Sequence, residues 1–107
     1  MENIMIVKDL EIKIIDFGLA YLSGTGVPFQ EALNVGTILY VAPEVVFCQL
    51  KTVNKSVDVW AMGVILYFMV FGDYPFQGES EKEILTNITK GYYIIPSHAS
   101  KELAQLI

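Results

Sequence analysis

The stretch IKIIDFGLA, residues 12–20, places a carboxylate between an apolar run and a glycine. The branched residues before Asp16 favour a β-strand, and Gly18 allows the backbone to turn sharply after it. Two interpretations of Asp16 remain open at this point. It is either a polar residue that ends a strand and begins a turn, or a ligand for a metal ion, because hard cations prefer oxygen donors.

The residues before this stretch predict its strand partner. Ile4–Val7 and Ile12–Asp16 are two short runs rich in Ile and Val, and the polar residues Lys8–Glu11 separate them. This pattern indicates a β-hairpin. After it, residues 19–36 lose all periodicity and carry several glycines, which predicts a long loop.

Two helices are predicted further along the chain. Pro43–Val46 is a short helical segment with proline at its first position, where proline is favoured. Val59–Phe71 is apolar almost all round, which predicts a helix in the centre of the core, with Ser56 or Asp58 as its N-cap. This run is too short for a bilayer, which needs about 20 residues.

The last part of the chain carries four helix boundary signals. Gly72–Pro75 ends the apolar helix, and Ser80 and Glu83 have the spacing of a capping box before a further helix that Gly91 stops. Ser97 is predicted to cap a final helix.

Composition limits the possible partners and compartment. The net charge is −5, with seven lysines and no arginine, which argues against a nucleic-acid partner. The single Cys48 excludes an internal disulfide, and a lone thiol without a visible leader makes a cytoplasmic location the default expectation. The apolar fraction of 53% is high, so one face is expected to meet a partner unless the core is unusually rich.

Three landmarks in order resemble the second half of a eukaryotic protein kinase domain: IKIIDFGLA (12–20), GTILYVAPEVV (36–46) and SVDVWAMGVILYFMVFGDYPF (56–76). The details are most similar to Ser/Thr kinases of the calcium- and calmodulin-dependent group. The resemblance implies an α+β, mainly α fold, namely a partial C-terminal lobe with a short β-hairpin and a long activation-type loop. It covers residues 1–107, from the end of the catalytic loop to the start of a late helix, without the N-terminal lobe.

The resemblance also implies a site for Mg²⁺ and ATP. Asp16 matches the aspartate of the Asp-Phe-Gly motif, which holds the magnesium that bridges the nucleotide phosphates. Glu2 and Asn3 match the end of the catalytic loop, so Asn3 is the expected second magnesium ligand. Phe17 is expected to pack below the motif and to help set the pose of the loop.

Further residues take roles from the same resemblance. The activation segment comprises Asp16, Phe17, Gly18, Thr37, Ala42, Pro43 and Glu44, and Asp58 and Trp60 have structural roles. Thr37 is expected near the protein substrate. Glu44 normally pairs with an arginine, so here it is expected to be exposed or left as an unpaired buried charge.

The catalytic machinery that the resemblance calls for is incomplete within these 107 residues. The aspartate that accepts the substrate proton, its neighbouring lysine, the Gly-rich loop and the lysine of the nucleotide site have no counterpart in this sequence. We therefore expect no catalytic residue in this chain and no phosphoryl transfer by it alone. Two alternatives remain, a truncated form of a longer enzyme and a non-catalytic module that binds another kinase or a scaffold.

Overall fold

The computed structural model of the protein describes residues 2–18, 20, 38–47 and 55–107. This part of the chain is mainly helical and contains one two-stranded sheet, as predicted. The elements in chain order are strands β1 (Ile4–Ile6) and β2 (Ile12–Ile14), then helices α1 (Pro43–Val46), α2 (Ser56–Phe71), α3 (Glu81–Lys90) and α4 (Lys101–Leu106). One 3-10 turn, Lys8–Leu10, connects β1 to β2, and another, Ile38–Tyr40, precedes α1. Most of the predicted loop over 19–36 lies outside the described residues.

The β-hairpin forms as the sequence predicted, with strands that are shorter than expected. β1 and β2 pair antiparallel with Ile4 opposite Ile14 and Ile6 opposite Ile12. Asp9 and Leu10 both have a φ of 63°, so the connection turns through the left-handed region. Such a turn reverses the chain within a few residues but leaves Leu10 85% exposed.

The prediction that the apolar helix is central to the core is wrong for the described part of the chain. Only Val64 and Tyr67 of α2 are buried, whereas Val59, Met62 and Met69 are exposed. A helix that is apolar on every side can be covered only where other elements reach it. Here the 3-10 turn at Ile38–Tyr40 contacts one side of α2.

The predicted N-cap of this helix is also wrong. α2 begins at Ser56, and its N-cap residue Lys55 makes no side-chain capping hydrogen bond. The helix ends at Gly72, which has a φ of 76° and donates its N–H to the Phe68 carbonyl at 2.8 Å. This end was predicted, because glycine adopts the left-handed conformation without a Cβ penalty.

The buried core lies where α2 and α3 meet the connecting loops. It consists of the side chains of Ala42, Val64, Tyr67, Phe76 and Ile88. Aromatic rings extend it, because Tyr67 packs edge-on against Phe71 at 4.7 Å between centroids, and Phe76 packs against Tyr93 at 5.6 Å. The Tyr67 hydroxyl donates to the Ile94 carbonyl at 2.7 Å, which satisfies the polar end of that ring.

One of the two hydrogen bonds of the predicted capping box forms at the start of α3. Ser80 Oγ accepts the Glu83 N–H at 3.3 Å, as predicted, but Glu83 Oε2 accepts the N–H of Glu79 at 2.9 Å, one residue before the expected donor. Gly91 ends α3 with a φ of 63°. The predicted cap of the last helix is wrong, because α4 begins at Lys101 and Ser100, not Ser97, accepts from the Leu103 N–H at 3.2 Å.

Replacing Ser80 by alanine is expected to lower the free energy of unfolding by about 1 kcal/mol, since an N-cap acceptor is lost. Ser97→Ala is the matched control, because Ser97 is a serine that caps no helix in the structure, and we expect little change from it. Urea denaturation of the two variants measures both values. Equal losses would contradict the assigned cap.

None of the helices in the described residues is long and apolar enough to cross a membrane.

Candidate functional site

The two predicted metal ligands lie at the open end of the hairpin. The Ile15 N–H donates to the Asn3 carbonyl at 2.9 Å, so the backbone of Asn3 is fixed beside the residue that precedes Asp16. The chain then leaves the strand, since Asp16 has a φ of 64°. This hydrogen bond joins Asn3 to Ile15, 12 positions away in the sequence, and so places Asn3 near Asp16.

The Asp16 carboxylate is held by the turn that follows it. Its Oδ1 accepts the Gly18 N–H at 3.0 Å. A Cβ on residue 18 would lie 3.0 Å from the same oxygen, so glycine allows this close approach. An ionised carboxylate can accept several hydrogen bonds or bind a cation while one oxygen is engaged. The local turn therefore orients Asp16 without exhausting its capacity as a ligand.

The donor chemistry at this end of the hairpin fits Mg²⁺ as part of a site. A carboxylate and an amide oxygen are hard ligands of the kind that Mg²⁺ takes, usually with waters and substrate phosphates completing the octahedron. Within the described ranges, no group of three or more His, Cys, Asp or Glu side chains could hold a metal ion by itself. Asp16 and Asn3 would thus hold a magnesium ion together with a nucleotide, and the ion would neutralise phosphate charge.

Phe17 does not pack as the sequence predicted. Its side chain is 70% exposed, although the family resemblance placed it below the motif. A packed phenylalanine requires surrounding apolar groups within van der Waals distance. The described residues do not cover this ring, which leaves it on the surface beside Asp16.

The second half of the predicted activation segment is anchored by buried and hydrogen-bonded residues. Ala42 is 2% exposed, and Pro43 begins α1 directly after it. Glu44 is half-buried and accepts a hydrogen bond from Ser56 Oγ at 3.3 Å, a polar contact that the sequence analysis did not predict. This bond joins α1 to the first residue of α2. Thr37 lies outside the described residues.

The two residues predicted to be structural differ in their environments. Asp58 is exposed on the first turn of α2. Trp60 stacks on Phe76 with 5.5 Å between ring centroids and an angle of 10° between the planes. Its indole N–H is buried and has no hydrogen-bond partner among the described residues. Trp60 thus packs against the core residue Phe76 through its ring, and its structural role stays a prediction.

Sequence reasoning missed the contact between Tyr40 and Tyr74. Their hydroxyl oxygens lie 3.0 Å apart, and their rings meet edge-on at 5.7 Å between centroids. Burial, followed by the Tyr74 hydrogen bond, raises the pKa of Tyr40 to about 12. No sequence signal pointed to this pair, because the two residues are 34 positions apart and neither belongs to a metal-ligand pattern.

A hairpin that ends in a metal-competent aspartate, followed by a short proline-started helix and a long apolar helix, is the arrangement expected for part of a protein kinase domain. The chain belongs to the protein kinase domain family, whose sequence profile matches residues 1–107. Protein kinases transfer a phosphoryl group from ATP with the help of Mg²⁺. Family membership thus supports the cofactors and the class of reaction.

Individual relatives are similar over nearly the whole chain. Sperm motility kinase 2B of Mus musculus is 44% identical over 99% of this chain, which corresponds to 21% of the relative. Sperm motility kinase 3A of Mus musculus is 45% identical over the same share and 20% of its own length. The protein kinase domain-containing protein ppk9 of Schizosaccharomyces pombe is 38% identical over 100% of this chain and 20% of its own length. The chain therefore spans about one fifth of the curated relatives that it matches.

Proposed function

We propose that these residues form the part of a protein serine/threonine kinase that runs from the end of the catalytic loop to a late helix of the C-terminal lobe. The reaction is transfer of the γ-phosphoryl group of ATP to Ser or Thr hydroxyls of a protein. The observation that carries the proposal is the position of Asp16 at the hairpin end, beside the backbone of Asn3, in a chain that matches the kinase family throughout. Asp16 and Asn3 are the proposed magnesium ligands.

The 107 residues are proposed to lack the transfer activity when they are alone. Catalysis of phosphoryl transfer is almost entirely positioning and charge stabilisation. The sequence contains the proposed metal carboxylate but no counterpart of the aspartate that accepts the hydroxyl proton or of the lysine that grips the phosphates. A carboxylate and an amide cannot replace these groups.

A coupled assay of ATP turnover with Mg²⁺ tests this absence of activity. The purified 107-residue chain is expected to release phosphate at the rate of a protein-free blank, with or without a mixture of Ser/Thr peptides. Turnover well above the blank that disappears in an Asp16→Asn variant would contradict the proposal. Asparagine is the chosen replacement because it tolerates the positive φ of 64° at this position.

A non-catalytic binding module is the second candidate, and exposed apolar side chains favour it. Ile6 is 71% exposed and Leu10 is 85% exposed at the hairpin, and Met69 is 71% exposed on α2. A partner that covers these side chains would remove their apolar surface from water, which is favourable. A protein kinase or a scaffold protein is the proposed partner. Size-exclusion chromatography separates the two candidates, since a monomer with a cooperative melt argues against a required partner.

The subgroup, the compartment and the remaining partners are also proposals. Sequence details favour the calcium- and calmodulin-dependent group, whereas the relatives named above include sperm motility kinases. Stimulation of the intact protein by calcium and calmodulin would support the subgroup. The net charge of −5 supports a protein rather than a nucleic acid as substrate, and the cytoplasm is the proposed location.

A further inference from the structure

The Tyr40–Tyr74 contact joins two segments that have different roles in the fold. Tyr40 ends the 3-10 turn that leads into α1, and Tyr74 lies in the turn that follows α2. The hydroxyl oxygens are 3.0 Å apart and part-buried. The Tyr74 ring also packs against Phe68 of α2, with 4.8 Å between centroids. The pair therefore ties residues 38–47 to the C-terminal end of α2.

The backbone hydrogen bonds described within residues 38–47 are local, so contacts with other elements must position this segment. The Val41 N–H donates to the Ile38 carbonyl at 3.2 Å, and the Val45 N–H donates to the Ala42 carbonyl at 3.0 Å. A helix of four residues is far below the length at which helices are stable alone. Its position must come from contacts with other elements.

The other polar anchor of this segment is weaker. The Ser56–Glu44 hydrogen bond is 3.3 Å long and exposed to water, whereas the tyrosine pair is shorter and part-buried. A hydrogen bond is stronger where water is excluded, and leaving a buried partner unsatisfied costs more. The tyrosine pair is thus the polar contact with the larger expected effect on the segment.

The charges around the pair favour a lasting hydrogen bond at neutral pH. Burial, the Tyr74 hydroxyl and the negative charge of Glu2 together raise the pKa of Tyr40 to about 12, so the Tyr40 hydroxyl is protonated at neutral pH. Glu2 directly precedes Asn3, the proposed magnesium ligand. The Tyr40 hydroxyl is therefore within electrostatic range of the hairpin end.

We propose that the Tyr40–Tyr74 hydroxyl pair is a positioning contact that holds residues 38–47 against α2 for the phosphoryl transfer, an inference that rests on the proposed function. Tyr40 and Tyr74 are positioning residues, because their assigned effect runs through the segment and not through the reacting atoms. Loss of either hydroxyl removes the same bond.

Hydrogen exchange of the purified protein tests the structural half of this inference. Tyr40→Phe and Tyr74→Phe are each expected to speed exchange of the Val41 and Val45 amides roughly two- to tenfold, the range that one net hydrogen bond gives. Amides of α3 should keep their rates. The double variant should exchange no faster than either single variant. Tyr92→Phe is the matched control, because this tyrosine is 65% exposed.

Unchanged rates at Val41 and Val45, additive effects in the double variant, or faster exchange throughout α3 would each overturn the contact. The functional half is tested with Mg-ATP and a protein substrate in residues 1–107 joined to the preceding part of the kinase domain of sperm motility kinase 2B, because the 107 residues alone are proposed to be inactive. Both single variants should lower kcat/KM for the protein substrate several-fold while KM for ATP stays the same. Faster exchange at Val41 and Val45 with an unchanged kcat/KM would show that the pair is only a structural contact. That result would contradict the positioning role.

The two tests separate the failure of this inference from the failure of the proposed function. If the joined protein without any tyrosine substitution phosphorylates no substrate, the proposed function fails. The positioning role then fails with it. Hydrogen exchange still decides whether the hydroxyl pair anchors the segment in that case.

Discussion

Ile88→Ala is expected to lower the free energy of unfolding by about 2–5 kcal/mol, the range for truncating a fully buried isoleucine. Ile88 is 0% exposed, and it is the largest side chain that the described residues bury completely. Truncation removes three carbon atoms from the interface between α3 and its neighbours and leaves a cavity there. A loss of this size is a large part of the 5–15 kcal/mol or so that stabilises an ordinary domain.

The control for this substitution is Ile94→Ala. Ile94 is 68% exposed, and its carbonyl, which accepts from the Tyr67 hydroxyl, is unaffected by the change of side chain. We expect a change within about 0.5 kcal/mol for this surface position. Urea unfolding followed by circular dichroism measures both variants. Similar losses in the two would contradict the assigned core.

Gly78→Ala is expected to destabilise the protein by about 1–3 kcal/mol through overpacking. A Cβ at this position would lie 2.9 Å from both Cβ and Cγ of Glu83 and 3.0 Å from the backbone nitrogen of Ile84. Two of these atoms are fixed by the first turn of α3, so the helix itself would have to shift. The shift would also strain the bond between Glu83 Oε2 and the Glu79 N–H.

Gly63→Ala is the matched control for Gly78→Ala. Gly63 lies inside α2, and among the described residues a Cβ there would meet no heavy atom within 4 Å outside the helix's own backbone and its chain neighbours. Alanine is favoured over glycine in a helix interior by about 1 kcal/mol, so this variant should be more stable than the original. The two alanine substitutions are thus predicted to act in opposite directions. A Gly78→Ala variant as stable as the original protein would show that the loop before α3 is not packed as described.

Local chemistry explains why several features could be predicted from the sequence. The hairpin follows from two branched apolar runs and a polar connection, and Gly72 and Gly91 end helices because each adopts a left-handed φ. Ser80 caps α3 since its hydroxyl needs only a donor three residues away. Each of these signals acts within a few residues. No knowledge of the tertiary structure was required.

The errors arose where distant parts of the chain decide the outcome. The apolar sequence of α2 predicted a central helix, but burial depends on which elements cover it, and the described residues leave Val59 and Met62 exposed. The hydrogen bond to Glu44 from the Ser56 hydroxyl, at the start of α2, was not predicted. The Tyr40–Tyr74 contact had no signal at all. Pairing across such separations follows from packing, which local patterns do not encode.

The sequence predicted the candidate site only in part. Asp16 and Asn3 were identified from motif order, and the hairpin register explains how the two positions meet. Phe17 was predicted to be packed and is exposed. The roles of Asp16 and Asn3 as magnesium ligands stay predictions, and so does the role of Thr37.

The most direct test of the account joins residues 1–107 to the preceding part of the kinase domain of sperm motility kinase 2B, which is 44% identical over this chain. The joined protein is assayed with Mg-ATP and a Ser/Thr peptide library beside its Asp16→Asn variant. Asp9→Asn is the matched control, because Asp9 is exposed and has a φ of 63°, close to the 64° of Asp16. We predict Ser/Thr phosphorylation that Asp16→Asn lowers by about a hundredfold or more, as expected when a group that stabilises transition-state charge is lost, and that Asp9→Asn leaves intact. Equal activity in the Asp16→Asn and Asp9→Asn variants would contradict the claim that Asp16 holds the metal.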